Sequence, residues 1–383
     1  MTILHGRALC AAALVALFLG APAMAAPVPT PPTDEALKEK AIKLNDATKN
    51  LKSGDEADSK KLQESLTDLL KDKVATKRLV VIAAKMLAEK DSPFKFNGAF
   101  VLGKAAQNVK DYKSAEAFYK FCKSNATKSE KGADLARAYD GLIDLYWDQK
   151  KFAEVEELCA ELLNSEDTGK EMGSAKSFAI ERMIQSKARR GDHDEALNMA
   201  DAVIKLEKGG WYSLQLKGYV LREAGKIDQA IDTYTDVLKK LEADKKLEAE
   251  EKTKITRNVR YMLTGLHVEN KDIDKAADIL KALVKEVPDS ATYKNDLGFI
   301  WADNDLKLEE SEKLIREALD LDQKAREKAR KEGKIDAEDA KKANAAYQDS
   351  LGWVLYKNKK YDEAIKLLTE ASLDEEEGQH MEI

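Results

Sequence analysis

Apolar residues recur along most of the chain at the spacing of an amphipathic helix. In the first part of the chain these apolar positions are Leu62, Leu66, Leu69, Leu70, Leu79, Val80, Ile82, Ala83 and Leu87. Turn signals such as Gly191-Asp192 and Ala224-Gly225-Lys226 interrupt the pattern after about four turns of helix. The sequence therefore predicts many short helices and argues against one long coiled coil.

A fixed interval between a glycine and an alanine occurs three times. Ala115 follows Gly103 by twelve residues, and the same interval separates Gly218 from Ala230 and Gly352 from Ala364. A bulky residue stands four positions after each alanine, and a smaller one stands seven positions after it: Tyr119, Tyr234 and Leu368, then Cys122, Val237 and Ala371. Glycine and alanine are expected where the two helices of a hairpin approach most closely, because larger side chains would wedge them apart.

This spacing resembles the tetratricopeptide pattern W-x2-L-G-x2-Y…A-x3-F…P. The resemblance implies an all-α fold, a right-handed α-solenoid of stacked helix-turn-helix hairpins. About seven units are predicted, starting near Phe96, Ala136, Ser177, Trp211, Arg257, Ala291 and Ala345. The residues assigned to the repeat core are Gly103, Ala115, Tyr119, Gly218, Ala230, Tyr234, Ala276, Pro288, Gly298, Gly352 and Ala364.

Three units depart from the pattern. Ile143, Ile184 and Thr264 stand where glycine is expected in the second, third and fifth units, and Val155 replaces the alanine of the second unit. The turn of the sixth unit is predicted to hold one extra residue. These departures leave the geometry of the hairpins concerned open.

The first residues have the layout of a secretory signal peptide. Arg7 precedes an apolar run of residues 8–19, and the small-residue triplet Ala23-Met24-Ala25 follows. A membrane anchor is the alternative, but a run of about a dozen apolar residues is too short to span a bilayer. We expect cleavage before Ala26, export to the periplasm or the exterior, and no transmembrane segment in the mature chain.

Composition divides the chain into five parts. They are a signal peptide at 1–25, a proline-rich linker at 26–33, an N-terminal helical cap at 34–95, a repeat array at 96–371 and an acidic tail at 372–383. A highly charged insertion at 322–344 is interpreted as a solvated extension of the preceding helix, with a separate binding arm as the alternative. The tail alternatively begins a further repeat, and the chain would then be part of a longer protein.

The sequence lacks the motifs of an enzyme. It contains no G-x-x-x-x-G-K-[ST] loop, no G-x-G-x-x-G after a strand and no G-x-S-x-G elbow. His193, His267 and His380 are far apart, and none lies beside a cysteine, so we expect no metal and no cofactor. With 64 Lys plus Arg against 70 Asp plus Glu, the net charge of −6 argues against a nucleic-acid partner.

The two cysteines of the mature chain, Cys122 and Cys159, fall at core positions of adjacent units. Export would permit a disulfide between them. They are alternatively two small core residues, because a disulfide requires a Cα separation that the sequence cannot show. Both interpretations stay open at this point.

The family resemblance also implies a binding surface. In tetratricopeptide repeats, positions 2, 5, 9 and 12 of the first helix line an inner groove. Those positions hold Tyr212, Gln215, Tyr219, Arg222, Tyr261, Asn295, Phe299, Asp349, Trp353 and Tyr356. Aromatic anchors beside hydrogen-bonding side chains suit an extended peptide or a partner helix; alternatively, the rings pack against the adjacent unit.

The function that these observations predict is a non-catalytic scaffold or adaptor of the cell envelope, which binds a protein or peptide partner. Two alternatives belong to other classes. The chain could be the N-terminal repeat portion of a larger enzyme or envelope-assembly factor, or a module that binds cell-wall glycan. The identity of the partner and the oligomeric state cannot be read from the sequence.

Overall fold

The chain is all-α. The computed structural model describes residues 31–52, 55–126, 131–167, 169–207, 209–335 and 337–373. Within these ranges it forms seventeen α-helices and one short 3-10 helix, and no strand. The predicted signal peptide, residues 26–30 of the predicted linker and residues 374–383 of the predicted tail lie outside the described residues.

Three helices precede the repeats: α1 (Asp34–Thr48), α2 (Glu56–Leu70) and α3 (Lys73–Leu87). Each begins at a residue whose side-chain oxygen accepts a backbone N–H of the first turn. The N-cap residues are Thr33, Asp55 and Asp72, with oxygen-to-nitrogen distances of 3.2, 3.0 and 2.8 Å. Such a cap satisfies one of the donors that a helix start leaves unpaired.

Seven helical hairpins follow. Their helices are α4 (Phe96–Asn108) with α5 (Tyr112–Ser124), α6 (Lys131–Asp148) with α7 (Phe152–Leu163), α8 (Lys170–Arg190) with α9 (His193–Leu206), α10 (Trp211–Glu223) with α11 (Ile227–Ala243), α12 (Ala249–Glu269) with α13 (Ile273–Glu286), α14 (Ala291–Asp303) with α15 (Leu308–Lys331), and α16 (Ala345–Lys357) with α17 (Tyr361–Ser372). In every hairpin the two helices pack against each other, and each second helix also packs against the first helix of the next hairpin. The result is a solenoid.

Three first helices are longer than the repeat pattern. α6, α8 and α12 begin at Lys131, Lys170 and Ala249, ahead of the unit starts predicted in the sequence. Additional helical residues therefore precede the motif in these hairpins. They account for part of the uneven spacing between units.

The turns of the hairpins share one hydrogen-bond pattern. In the fourth hairpin, Gly225 has a φ of +67°, and the N–H of Lys226 donates to the carbonyl of Leu221 at 2.9 Å. This is the helix-ending bond of a Schellman motif. The equivalent bonds run from Asp111 to Ala106, Lys151 to Tyr146, Asp192 to Lys187, Asp272 to His267, Leu306 to Trp301 and Lys360 to Leu355. Lysine, not glycine, has the positive φ at residues 110, 150, 271 and 359.

The packing inside a hairpin differs from the expected contact of glycine with alanine. A β-carbon built on Gly218 would come within 2.8 Å of the Tyr234 ring, which lies four residues after Ala230. The glycine therefore makes room for the bulky side chain, and the buried alanine leaves space beside it. The same relation joins Gly103 to Tyr119, Gly298 to Ile315 and Gly352 to Leu368.

The remaining residues assigned to the repeat core are buried, except for Pro288, for which a core position was wrongly predicted. Ala115, Ala230, Ala276 and Ala364 are all buried. Pro288 is exposed and follows directly after the C-cap of α13, where its ring prevents the helix from continuing.

The charged insertion is divided between a helix and a returning segment. α15 continues to Lys331, and the i,i+4 ion pair between Arg326 and Asp322 measures 2.7 Å. After the helix, the chain turns back through a short 3-10 helix, η1 (Asp339–Lys341). Buried Ala340 accepts a hydrogen bond from the Gln323 side chain at 3.0 Å. Asp339 also lies 3.6 Å from Lys73 of α3, so the curved array brings this segment back to the N-terminal helices.

Candidate binding groove

The first helices of the hairpins lie side by side along much of the array. α6 packs against α4 and α8, α8 packs against α10, and α14 packs against α16. Their shared surface is called the inner groove below, and it is defined by positions 2, 5, 9 and 12 of each first helix. Most of the residues predicted to bind a partner lie on α10, α14 and α16.

The middle of the inner groove contains a small polar and aromatic cavity. Tyr212, Gln215 and Tyr219 of α10 line it together with Glu181 and Gln185 of α8, and its volume is about 150 Å³. The Tyr212 hydroxyl donates a hydrogen bond to Glu181. The structure thus brings three of the predicted groove residues to one cavity and adds two from the preceding hairpin.

Two arginines hold neighbouring hairpins together beside this cavity. Arg189 of α8 donates to the Tyr219 hydroxyl at 2.8 Å. Arg222, which is predicted to line the groove, forms an ion pair with Glu269 of α12. That pairing raises the pKa of Arg222 further and engages its guanidinium between two hairpins. Its role in the structure is therefore to connect α10 with α12.

Towards the C-terminal end, an acidic and aromatic section follows. The Tyr261 hydroxyl donates to Asp296 at 2.6 Å, and the Tyr261 and Tyr293 ring centroids are 5.4 Å apart. Burial raises the pKa of the Asp296 carboxyl above its usual range. Asn295 is only 6% exposed, so its amide lies at the floor of the groove. Phe299 is half-buried.

The last hairpin presents an aromatic pair. The rings of Trp353 and Tyr356 are stacked with centroids 5.6 Å apart, and the Lys357 ammonium lies 5.1 Å from the Trp353 ring. Tyr356 is 51% exposed and available for contact. One turn before Trp353 lies Asp349, whose pKa is raised by burial.

A charged section at the second and third hairpins was missed in the sequence. Asp140 and Asp144 occupy positions 5 and 9 of the second unit, the same positions that carry the aromatic residues later in the chain. Asp144 lies 3.4 Å from Arg182 of α8 and 4.0 Å from Lys104 of α4. Burial, and then the nearby Asp144 charge, raise the pKa of Asp140 to about 6.

Several polar atoms on the groove side of the first helices lack partners. Within the described ranges, no hydrogen bond reaches three buried atoms at groove positions, which are Asp140 Oδ1, Asn295 Oδ1 and Trp353 Nε1. They lie on three different first helices. Burying an unpaired polar atom costs about 1–3 kcal/mol, so such atoms are suited to accept or donate bonds to a ligand.

A larger cleft, of about 730 Å³, lies elsewhere, between α15 and the turn that precedes α17. Glu312 there pairs with Arg316 at 3.0 Å and with Lys360 at 2.9 Å. Because these charges pair with one another, the cleft has fewer unpaired polar groups for a ligand than the groove has. We therefore place the binding site in the groove.

The described residues contain no cluster of His, Cys, Asp and Glu arranged to hold a metal ion. Cys122 and Cys159 are buried, free thiols, and burial raises the pKa of both. Among the described helices, none combines the length and apolar character that crossing a membrane requires.

Two stretches match the tetratricopeptide repeat. Residues 182–245, from α8 to the end of α11, match one sequence model of this repeat, and residues 259–290, which include α13, match another. These two stretches are tetratricopeptide repeats, as predicted from the sequence. The predicted all-α solenoid is confirmed, and the repeats define a protein-interaction scaffold.

Comparison with solved structures gives weaker likenesses. The structure of MamA, residues 41 to the end, from Desulfovibrio magneticus RS-1 has a TM-score of 0.37 and 20% identity, and the match covers 51% of this chain and 92% of that one. Human IFIT1, in a dimer with m7Gppp-AAAA, has a TM-score of 0.42 and 13% identity, covering 90% and 74%. At these TM-scores the likeness carries no argument about function. No curated protein matches the sequence.

Proposed function

We propose that this chain is a non-catalytic adaptor of the cell envelope, which holds an extended peptide or a helix of a partner protein in its inner groove. The observation that carries the proposal is the row of unpaired polar atoms on the first helices, from Asp140 to Trp353. The backbone of a bound peptide would supply the missing donors and acceptors.

Exposed aromatic rings support the same proposal. Tyr212, Tyr261 and Tyr356 are 45%, 37% and 51% exposed, and all three lie on first helices. Tyrosine combines a large apolar ring with a polar hydroxyl, which makes it a frequent anchor residue at protein interfaces. These rings would contact side chains of the partner while the polar atoms fix its backbone.

The test is affinity capture from envelope extract with the chain from Ala26 to Ile383. A matched pair of variants makes it specific. The groove variant is Tyr212→Ala/Tyr261→Ala/Tyr356→Ala. The control variant, Val74→Ala/Leu206→Ala/Ile365→Ala, removes apolar side chains of similar or greater exposure from outside the first helices. A partner retained by the native chain and the control, but lost by the groove variant, supports the proposal.

Two other results would count against it. Capture that is equal for both variants would place binding outside the groove. Capture of glycan without protein would favour the cell-wall module. Export is tested separately, by fusing residues 1–25 to a reporter that is active only outside the cytoplasm; a cytoplasmic fusion would remove the envelope from the proposal.

A further inference from the structure

Helix α2 covers the start of the inner groove. Its main packing partner is α4, ahead of its neighbours in sequence, α1 and α3. Leu62 and Leu66 of α2 face Phe100 and Lys104 of α4 and Arg137 of α6 across a cavity of about 240 Å³. Phe100 and Lys104 occupy positions 5 and 9 of the first unit, and Arg137 occupies position 2 of the second. α2 therefore lies where the groove would otherwise receive a ligand.

The packing of α2 is loose. Only one of its fifteen residues, Leu69, is buried, whereas α3 has the same length and buries five residues. A second cleft, of about 550 Å³, separates α2 from α1 and is lined by Leu44 and Ser65, among others. Protein interiors are normally close-packed, so a helix with clefts on two sides makes fewer apolar contacts than α3 does; Leu62, Leu66 and Leu69 supply those that α2 has.

Polar contacts do not compensate for this loose packing. In the described part of the chain, the side chains of α2 itself form hydrogen bonds only within the helix or with its flanking turns, such as Lys52 to Asp58 at 2.9 Å. One buried bond joins α2 to its neighbour, from the Thr76 hydroxyl of α3 to the carbonyl of Leu69 at 2.5 Å. α1 differs, because the side chain of Asn45 bonds both Pro93 and Lys95 in the segment that leads into α4, at 2.9 and 2.8 Å. Side-chain hydrogen bonds thus fix α1 to the segment before the repeats, whereas α2 is held on α4 mainly by Leu62 and Leu66.

The side chains of α2 that face the groove do not match its positive charges, so a helix with acidic residues would bind there more tightly. Ser59 and Gln63, both uncharged, stand opposite Lys104 and Arg137 in the cavity. Lys104 lies 4.0 Å from Asp144, and Arg137 lies 3.7 Å from Asp134 and donates to Asn97 at 2.9 Å, so an added carboxylate would join these existing contacts. A helix with glutamate at these two positions would keep the leucine contacts and add charge-assisted contacts to the lysine and the arginine. Such a helix would compete effectively with α2.

From this geometry we infer that α2 occupies a helix-binding site of the inner groove in place of a partner. The partner is an amphipathic helix with two leucines four residues apart and acidic residues one turn away, and it displaces α2 when it binds. This inference rests on the proposed function, since it names the kind of partner for the first part of the groove.

The experiment uses synthetic peptides with the sequence of residues 55–72, labelled with fluorescein. One peptide has the native sequence, a second carries Ser59→Glu and Gln63→Glu, and a third carries Leu62→Lys and Leu66→Lys. Each is titrated by fluorescence anisotropy into the chain from Ala26 to Ile383. Three forms of the chain are compared: native; Leu62→Lys/Leu66→Lys, designed to release α2 by placing two cations opposite Lys104 and Arg137; and Thr67→Asp, which alters an exposed position of the same helix.

The acidic peptide should bind the released variant about tenfold more tightly than the native chain or the Thr67→Asp control, because the site is no longer occupied. The native peptide should bind the released variant more weakly than the acidic one does, and the lysine peptide should not bind. Equal affinity for all three forms of the chain would overturn the inference.

Hydrogen exchange of the native chain gives an independent measurement, which does not depend on the folding of a variant. The amides of α2 should exchange at least about tenfold faster than those of α4 and α5, because α2 opens without the repeats. Equal protection of α2 and α4 would also overturn the inference. Since the peptides replace the natural partner, these results are distinguishable from a failure of affinity capture.

Discussion

The Tyr234 ring fills the space that a side chain at residue 218 would need. A β-carbon at Gly218 would lie 2.8 Å from one ring carbon of Tyr234 and 3.0 Å from two others. Tyr234 is fully buried, so its ring would have to shift within the packed interior to admit the extra carbon. We therefore expect Gly218→Ala to lower the free energy of unfolding by about 1–3 kcal/mol through overpacking, measured by urea denaturation.

Gly265 provides the matched control for this substitution. It lies inside α12, and a β-carbon there would meet no atom within 4 Å. Gly265→Ala should therefore stabilise the chain by about 0.5–1 kcal/mol, since alanine is the better helix former. Destabilisation of equal size at both positions would contradict the packing described for Gly218.

Replacing a lysine that has a positive φ at a hairpin turn by glycine should stabilise the chain. Lys359 has a φ of +61°, where an L side chain is strained and glycine is not. Lys359→Gly should raise the free energy of unfolding by about 0.5–1 kcal/mol. The opposite change at the equivalent turn, Gly225→Ala, should lower it by a similar amount. The expectation fails if urea denaturation gives both changes the same sign.

Asp140 predicts a dependence of stability on pH. Its pKa of about 6 in the folded chain exceeds the ordinary aspartate value of about 4, so the folded state binds the proton more tightly than the unfolded state does. The contribution of Asp140 to the free energy of unfolding therefore falls as the pH rises from about 4 to about 6. Above that range the full cost of burying the charged carboxylate is present.

Asp140→Asn removes this penalty. The variant should be more stable than the native chain at pH 7, by about 1 kcal/mol after allowance for solvent screening, and equally stable at pH 4. Thermal unfolding at the two pH values measures the difference. Asp144→Asn serves as the comparison, because it should lower the pKa of Asp140 and also remove the ion pair with Arg182. A gain for Asp140→Asn that is independent of pH would contradict the assignment.

Substitution of Tyr356 measures how much the C-terminal part of the groove contributes to the free energy of binding. With a captured partner, Tyr356→Ala should weaken binding about 5- to 30-fold, as expected for removal of an exposed aromatic anchor. Isothermal titration calorimetry measures the change. Leu206→Ala, which removes a more exposed side chain from the end of α9, should leave the affinity unchanged. Equal losses for the two variants would place the partner elsewhere.

Much of the fold could be predicted from the sequence, because its signal is local. The interval from Gly218 to Ala230 predicts the packing of one hairpin. Similar hairpins then stack along the chain to form the solenoid. What the interval could not show is which atoms touch. The glycine meets the tyrosine four residues after the alanine, a detail that depends on the crossing of the two helices.

The binding groove was predictable only in part. Asp140 and Asp144 follow the same positional rule as the later groove residues, but Ile143 and Val155 obscured the repeat around them. The place of α2 could not be predicted, because Leu62 and Leu66 suit any apolar surface and their spacing does not say which one. Only the three-dimensional arrangement shows that they face Phe100 and Arg137.

The ion pair between Lys73 and Asp339 joins residues on either side of six hairpins. In a stacked array each hairpin touches mainly its neighbours, so small tilts between hairpins accumulate along the chain. A small change in the tilt angle between each pair of adjacent hairpins would therefore produce a large change in the distance between these two residues. Fluorescent labels at positions 73 and 339 would thus report the pitch of the whole spiral, even when a ligand contacts a single hairpin.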